Sequence, residues 1–199
     1  MSFPTLGCLV MASGQSIRFG SNKLLAPFGS IPLLAATLKN IPAQCFEQCL
    51  VVTRTAECCE IAKQYQFDSL LHDKPLRRQA LALGIEKMQQ YDGCLVVQAD
   101  QPLCLPQSYQ ALVEAFLKNP KGFYRLGWQS VEASPVLFPS SAFGELLALS
   151  ENCGGSAILA NHRTELSVIS ATYPWELEDA DTPQQLKSLL QIAQEFHLV

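Results

Sequence analysis

Apolar residues along the chain form short runs that alternate with longer amphipathic segments. Runs such as CLVV at 94–97 are nearly continuous, which is typical of strands covered on both faces in a parallel sheet. The apolar runs predict strands at 6–12, 48–53, 67–71, 93–99, 134–138 and 166–172. Helical periodicity predicts helices at 32–40, 56–66, 76–90, 106–118, 140–149, 154–162 and 183–196. This alternation predicts a three-layer αβα, Rossmann-like fold with a mostly parallel sheet.

Helix and turn boundaries carry their own sequence signals. Pro32 and Pro106 are expected at or near the first residue of a helix, where proline loses no hydrogen bond. Thr182 is expected to cap the last helix, with Pro183 as its first residue. Segment 122–138 predicts an antiparallel pair, 123–128 with 131–138, joined by a turn at 129–130. Because no repeat, low-complexity tract or linker interrupts the pattern, we expect one domain over residues 1–199.

Composition narrows the classes of partner. The 199 residues are 48% hydrophobic and 16% charged, which suits a chain with a packed core. A net charge of −4 argues against a nucleic-acid-binding surface but allows a local basic pocket. No apolar run approaches the roughly 18 residues of a membrane span, and the N-terminus lacks the basic region of a signal peptide. We therefore expect a cytoplasmic protein with neither a nucleic-acid nor a membrane partner.

Eight cysteines raise the alternatives of disulfides, a zinc site or buried thiols. They lie at positions 8, 45, 49, 58, 59, 94, 104 and 153, and no C-x-x-C pair is present. Cys8 and Cys94 lie within apolar strand-like runs, and the three histidines are far apart in sequence. Because free cysteine is among the most buried residue types, reduced structural thiols without zinc are favoured.

The segment after the first predicted strand combines small, hydroxyl and basic residues. Such a loop can close its backbone N–H groups on an anion while its cations pair with the charge, as a triphosphate requires. The spacing of Gly14 and Gly20 matches neither a P-loop nor a G-x-G dinucleotide fingerprint. The alternative is an ordinary Gly/Ser turn with solvated cations. The candidate nucleotide-binding residues in this segment are Met11, Ala12, Ser13, Gly14, Ser16, Arg18 and Lys23.

Acidic residues follow at the expected carboxyl edge of the sheet. Asp100 comes directly after the predicted strand at 93–99, and ligands of open α/β sheets bind outside the carboxyl ends of strands. A carboxylate there can hold Mg²⁺, which prefers one or two carboxylates plus phosphate oxygens. The alternative for Asp100 is a structural turn in the sequence DQP. Asp179 is a second candidate metal ligand, whereas Asp181 fits the N-terminal cap of the last helix.

Four motifs, in this order, resemble those of the MobA-like nucleotidyltransferases, in the branch of the molybdenum cofactor cytidylyltransferases. MASGQSIRFGSNKLL at 11–25 resembles the L-A-A-G-x-S-x-R-x-G-x-x-K-L-L loop of that branch. DQPL at 100–103 resembles its G-D-Q-P motif, and SPVLF at 134–138 resembles its G-x-P-V-L-F strand. DADTP at 179–183 resembles its closing D-I-D-T-P. The four motifs span nearly the whole chain and are together far more specific than any one of them.

The chain also departs from these motifs. Ser13 stands where the family's loop has alanine, Ala99 replaces the glycine before the aspartate, and AS at 133–134 replaces the Gly-x before the proline. LRRQAL at 76–81 stands in place of the family's G-M-S-x-S-L near the base, and ENCGGS at 151–156 in place of its late G-D-x-G-A-R. The phosphate-binding end therefore matches the family more closely than the base-binding and acceptor-binding parts do.

The resemblance implies transfer of a nucleoside monophosphate from a nucleoside triphosphate to a phosphorylated acceptor, with release of pyrophosphate. CTP is the expected nucleotide, because the guanylyl branch has L-A-G-G in the first loop and position 13 of this chain carries a side chain. Arg18 and Lys23 would be the catalytic residues, stabilising the pentavalent phosphorus and the leaving pyrophosphate. A molybdopterin-type acceptor and a recipient molybdoenzyme are the other partners implied.

The resemblance also implies a cofactor and a second basic group. Mg²⁺ is the expected cofactor, with Asp100 and Asp179 as its ligands. Arg78 is expected to bind the nucleotide, and Arg77 with it to add acceptor or phosphate contacts. The alternative for these two arginines is a solvated helix start.

Two other functions remain open at the level of sequence. One is a cytidylyltransferase for a sugar or isoprenoid phosphate, which shares the fold and the early loop. The other is a non-catalytic chaperone that binds a nucleotide or pterin cofactor for a molybdoenzyme. Release of pyrophosphate from CTP in the presence of an acceptor separates catalysis from binding alone.

Overall fold

The predicted apolar runs form a sheet of seven strands through the middle of the protein. The computed structural model describes residues 3–150 and 154–198. Its strands in these ranges are β1 (Leu6–Ala12), β2 (Pro27–Phe28), β3 (Ile31–Pro32), β4 (Gln48–Thr53), β5 (Asp68–Leu71), β6 (Gly93–Gln98), β7 (Phe123–Trp128), β8 (Val131–Pro139) and β9 (Leu166–Ser170). Seven of them form the sheet in the order β5-β4-β1-β6-β8-β7-β9, and β2 and β3 make a separate small hairpin.

Neighbouring strands are parallel except where β8 is inserted. β1 is central and pairs in parallel with β4 and β6. β5 and β9 extend the sheet in parallel from β4 and β7. β8 runs antiparallel to both β6 and β7, so the predicted antiparallel pair is confirmed. The mostly parallel sheet of the predicted fold class is confirmed with it.

Helices flank the sheet on both faces. In the described ranges they are α1 (Leu33–Asn40), α2 (Ala56–Gln64), α3 (Arg77–Glu86), α4 (Pro106–Lys118), α5 (Phe143–Leu147), α6 (Gly155–Asn161) and α7 (Pro183–Glu195). Pro106 begins α4 as expected, whereas Pro32 is the N-cap of α1. Thr182 caps α7, and its hydroxyl accepts a hydrogen bond from Gln185 N at 3.2 Å. The three layers of the fold therefore follow from the predicted alternation of strands and helices.

Two hydrophobic clusters cover the two faces of the sheet. Successive residues of a strand point to opposite faces, so Cys8 and Val10 of β1 lie in one cluster and Leu9 and Met11 in the other. The first cluster includes residues of α1, α2, α4 and α7, and the second includes residues of α3, α5 and α6. Burial on both faces is the physical reason why the central strands are apolar at nearly every position.

The structure differs from the predicted elements in length more than in type. The helix expected at 76–90 ends at Glu86, because Lys87 N and Met88 N turn to the nearer carbonyls of Gly84 and Ile85. The helix expected at 140–149 is a 3-10 turn, Ser140–Ala142, followed by the short α5. The β2–β3 hairpin was not predicted, since strands of two residues have no periodicity to recognise.

Buried hydrogen bonds hold the segment before α7 against the turn between β6 and α4. Ala180 N donates to Asp100 O at 3.0 Å. The carboxylate of Glu176, which has no exposed surface, accepts hydrogen bonds from Leu105 N and Ser108 Oγ at the start of α4. These contacts bring residues 178–181 to the carboxyl end of β6, although the two segments are distant in sequence.

Candidate active site

An open cleft of about 380 Å³ lies at the carboxyl ends of β1 and β6. Ligands of open α/β sheets bind at this edge. The residues of the predicted phosphate-binding segment that line the cleft are Met11, Ser13, Gly14, Ser16, Arg18 and Lys23, and the predicted metal ligand Asp100 lines it with them. Ala12 is buried in β1 and is not among the lining residues. The cleft therefore brings together six of the seven residues of the predicted phosphate-binding segment.

The loop after β1 folds back on itself through two left-handed residues. Ser16 has a φ of 52° and Gly20 a φ of 78°, a conformation that glycine adopts without strain. Phe19 N and Gly20 N both donate to Ser16 O, which closes a short 3-10 turn. Ser16 Oγ accepts a hydrogen bond from Lys23 N at 3.2 Å. The hydroxyl of Ser16 thus connects the first part of the loop to Lys23 at its end.

Lys23 lies at the base of the cleft and is only 7% exposed. Its Nζ donates to Asp100 Oδ2 at 2.5 Å and to Asp181 Oδ1 at 2.8 Å. Burial lowers the pKa of Lys23, but the two carboxylates outweigh burial, and its pKa is raised. The side chain is therefore a charged ammonium, held by carboxylates from two different segments.

Asp181 belongs to this network, and the expectation that it caps α7 is wrong. Thr182 is the cap, while Asp181 pairs with Lys23 and, through Oδ2, with Arg18 Nη2 at 2.6 Å. The hydrogen bond from Lys23 is the main cause that lowers the pKa of Asp181. No local pattern indicates this pairing, because Lys23 and Asp181 are 158 positions apart.

Asp179 adds negative charge beside the same network. Burial and then the carboxylates of Asp100 and Asp181 raise its pKa to about 6. Within the described ranges no three His, Cys, Asp or Glu side chains form a metal site of their own. A cation bound at Asp100 and Asp179 would therefore need further oxygen ligands, such as the phosphates of a nucleotide.

A second cavity of about 360 Å³ adjoins the first, and Met11, Arg77 and Gln98 line both. Arg77 Nη2 donates a hydrogen bond to Gln98 Oε1 across this shared boundary. Arg78, a predicted nucleotide-binding residue, lines the second cavity and not the first. The other residues that line the second cavity include the apolar side chains of Leu81, Val96, Val136 and Phe138 and the hydroxyl residue Ser134. The late segment with sequence GGS at 154–156 also lines it, whereas residues 151–153 of that motif lie outside the described ranges.

Sequence analysis missed two residues near the cleft. Gln98, the last residue of β6, contacts Arg77 at the boundary of the two cavities. His72, directly after β5, has its Nε2 within 2.8 Å of Ser13 Oγ. A lone glutamine or histidine carries no motif, so only the order of the strands reveals these contacts.

The cysteines were predicted to be reduced, and no membrane span was expected. The seven cysteines within the described residues are free thiols, and Cys8, Cys49, Cys58, Cys94 and Cys104 are buried. Cys153 lies outside the described residues. Among residues 3–150 and 154–198, no helix has the length and apolarity that a membrane crossing requires.

Comparison with known sequences identifies relatives over most of the chain. The MobA-like NTP transferase domain matches residues 8–166. The purine catabolism protein PucB of Bacillus subtilis is 25% identical over 93% of this chain and 96% of its own length. A 3-deoxy-manno-octulosonate cytidylyltransferase from Nitratiruptor is 30% identical over 57% of this chain and 48% of its own length.

Comparison with solved structures confirms the fold. A nucleotidyl transferase from Methanothermobacter superimposes with a TM-score of 0.82, at 19% identity over 96% of this chain and 99% of that one. A Mycobacterium tuberculosis protein determined as a manganese complex has a TM-score of 0.71, at 18% identity over 94% and 98% of the two chains. A CMP:2-keto-3-deoxy-manno-octonic acid synthetase complexed with CTP has a TM-score of 0.74, at 14% identity over 96% and 99%.

Proposed function

The chain belongs to the MobA-like NTP transferase family, and from this premise we propose that it transfers CMP from CTP to a molybdopterin-type phosphorylated acceptor. The observation that carries the proposal is the charge network at the carboxyl edge of the sheet. There a glycine-containing loop, a buried lysine and two aspartates converge on one cleft. A triphosphate needs backbone donors and cations in just such an arrangement.

The nucleotide triphosphate lies, on this proposal, along the loop that follows β1. Arg18 is 70% exposed and paired only at its tip, so it can turn from Asp181 to a phosphate. Lys23 stays buried and charged between its two carboxylate partners. Its ammonium would stabilise the negative charge that develops on the α-phosphate and the leaving pyrophosphate. Arg18 and Lys23 are thus the proposed catalytic residues.

CTP is the proposed nucleotide because the side chain of Ser13 takes up space in the lining of the cleft. The hydroxyl of Ser13 is hydrogen-bonded to Val52 O at 2.9 Å, so this side chain cannot easily move aside for a larger purine. The cytidylyltransferase relative, at 30% identity, supports the same choice. A pocket that hydrogen-bonds the edge of a base can discriminate strongly, because the wrong base leaves buried groups unpaired.

Mg²⁺ is the proposed cofactor. The oxygen ligands of Asp100 and Asp179 fit a hard divalent cation, and the crowding of carboxylates around Asp179 favours added positive charge. When bound, the cation would screen the charge of the triphosphate and polarise its phosphoryl oxygens. The Mycobacterium tuberculosis protein of the same fold was determined as a manganese complex, which supports a divalent cation in this fold.

The acceptor occupies the second cavity, on this proposal. Among its lining residues, Val136 and Phe138 offer apolar contacts to a flat ring system. Arg77 and Arg78 offer cations for a phosphate group. An oxygen of the acceptor phosphate then attacks the α-phosphorus of CTP, and the bond from that phosphorus to the pyrophosphate oxygen breaks. Because the two cavities share the wall at Arg77 and Gln98, donor and acceptor can meet there without an enzyme nucleophile.

Two measurements test the proposal. A panel of CTP, GTP, ATP and UTP, each with Mg²⁺, is compared by thermal shift and by Kd, since a ligand that binds only the native state raises its stability. We expect CTP to bind at least about tenfold more tightly than GTP. Equal affinities, or tighter binding of GTP, would contradict the cytidylyl assignment.

The second measurement is release of pyrophosphate from CTP with molybdopterin, against a control without acceptor. We expect release only when both substrates and Mg²⁺ are present, with loss on chelation and recovery on adding the metal back. Binding of CTP without release would favour the chaperone alternative.

A sugar-phosphate or sugar-acid acceptor is the second candidate, favoured by the similarity to the manno-octulosonate cytidylyltransferase. Gln98, Ser134 and Ser156 line the second cavity and offer polar partners to the hydroxyl groups of a sugar. Pyrophosphate release with 3-deoxy-manno-octulosonate or with an isoprenoid-type polyol phosphate, but not with molybdopterin, would select this alternative.

A further inference from the structure

The first residue of the nucleotide-binding loop is held by two side-chain contacts. Ser13 Oγ lies 2.9 Å from Val52 O of β4 and 2.8 Å from His72 Nε2. His72 follows β5 directly, and its backbone N donates to Thr53 O at 3.0 Å. Ser13, which follows β1, is therefore hydrogen-bonded to β4 and to the residue that follows β5. Both strands lie on the same side of β1 in the order of the sheet.

The hydrogen bonds around His72 determine where its proton lies. His72 Nδ1 accepts a hydrogen bond from Lys74 N at 3.0 Å, and a backbone N–H can only donate. Nδ1 therefore carries no proton, and the proton of the neutral ring is on Nε2. Burial, followed by the charge of Arg54, lowers the pKa of His72, so the ring is neutral near pH 7.

This arrangement excludes a nucleophilic serine. Nε2–H of His72 donates to Ser13 Oγ, and the hydroxyl proton of Ser13 goes to Val52 O. The lone pair of the ring that could accept a proton is at Nδ1, facing the Lys74 N–H and not Ser13. The pair therefore has no general base at the hydroxyl, which a Ser–His nucleophile requires.

We propose that His72 is a positioning residue for the nucleotide, acting through Ser13 to hold the start of the loop against β4. Ser13 immediately precedes Gly14, and both line the cleft beside Lys23. The hydroxyl stands where the resembled loop has alanine, which could not form this hydrogen bond. The inference rests on the proposed function, because it assumes that the nucleotide binds along this loop.

The experiment measures the Kd of CTP with Mg²⁺ for wild type, His72→Ala, His72→Gln, Ser13→Ala and the double variant Ser13→Ala/His72→Ala. We expect His72→Ala and Ser13→Ala each to raise Kd about fivefold, the effect of one net hydrogen bond. His72→Gln keeps an N–H donor toward Ser13 and should stay within about twofold of wild type. The double variant should bind no more weakly than Ser13→Ala, because the two residues act as one unit.

The melting temperature of each variant without nucleotide separates positioning from stability. If His72→Ala and His72→Gln weaken binding equally, or if the two single effects add in the double variant, His72 does not act through Ser13. If His72→Ala does not fold, the comparison of His72→Gln with Ser13→Ala still decides the question. A wild-type protein that binds no nucleoside triphosphate would overturn the proposed function itself, whereas wild-type binding unaffected by His72→Ala would overturn this inference alone.

Discussion

Lys23 shows how one side chain joins the two ends of the chain. It belongs to the loop after β1, yet its ammonium is held by Asp100 after β6 and by Asp181 before α7. A buried cation is costly to leave without any carboxylate partner, because its charge then stands unpaired in a low-dielectric interior. The same residue is therefore placed to serve both the local structure and the chemistry.

Replacing either cation of the loop should slow the reaction. We expect Lys23→Ala and Arg18→Ala each to lower the rate of pyrophosphate release at least about tenfold, or roughly 1.4 kcal/mol in the barrier. Lys63→Ala on the exposed face of α2 is the matched control and should leave the rate unchanged. Unchanged rates in folded Lys23 and Arg18 variants would mean that neither cation takes part in the chemistry.

Removing the charge of Asp100 should abolish metal-dependent release while leaving the protein folded. Asp100→Asn preserves the shape of the side chain, and Lys23 keeps its 2.8 Å hydrogen bond to Asp181. Asp73→Asn, at a side chain that is 95% exposed, controls for the loss of one negative charge. If Asp100→Asn unfolds the protein by thermal melting, Asp100 is a structural turn residue and its assignment to the metal fails.

Helix α3 packs closely against β1 at Gly84. A Cβ at Gly84 would lie 2.5 Å from both Leu9 Cδ1 and Leu9 Cδ2, and Leu9 is completely buried in β1. Only glycine at this position lets α3 lie directly on the strand. Because Arg77 and Arg78 begin the same helix, this packing also determines where they stand beside the two cavities.

Two glycine-to-alanine substitutions should therefore have opposite effects on stability. We expect Gly84→Ala to lower the free energy of unfolding by about 1–3 kcal/mol through overpacking, although alanine is the better helix former. Gly144→Ala in α5 would place its Cβ within 4 Å of no heavy atom, so it should raise stability by up to about 1 kcal/mol. Denaturant unfolding measures both, and equal effects of the same sign would contradict the packing argument.

For the whole molecule, we expect one cooperative unfolding transition, because both hydrophobic clusters share the same sheet. Fluorescence and circular dichroism should give coincident thermal or denaturant curves. Two separated transitions would contradict the expectation of a single domain.

The global stability should also depend on pH through His162. Its Nε2 lies 2.8 Å from Glu145 Oε1 and its Nδ1 3.0 Å from Glu165 Oε2, so only the imidazolium donates to both. These hydrogen bonds raise the pKa of His162 above its usual 6.5. The stabilisation is then complete below about pH 6.5 and is lost as the pH rises through the raised value.

The comparison with His162→Gln measures this effect. Between about pH 6 and about pH 9, the free energy of unfolding should fall more in the wild type than in the variant. Identical pH dependence in the two proteins would mean that the imidazolium contributes nothing to stability.

Local sequence predicted most of the elements and singled out the candidate phosphate-binding loop. Near-continuous apolar runs predicted the buried strands, because burial on both faces selects apolar residues at every position. The segment from Met11 to Lys23 was recognisable because loop chemistry depends on neighbouring residues. Short elements such as β2 and β3 had no periodicity and were missed.

Only the tertiary structure decided which distant side chains meet. The pairing of Lys23 with Asp181, the contact of His72 with Ser13 and the second cavity beside Arg77 all depend on the order of the strands and on the segment before α7. Asp181 also had a local explanation as a helix cap, but the structure confirms the predicted cap Thr182 and pairs Asp181 with Lys23 instead. The physical reason is that hydrophobic periodicity encodes which face of an element is buried, whereas contacts across the sheet edge arise only when the elements have packed.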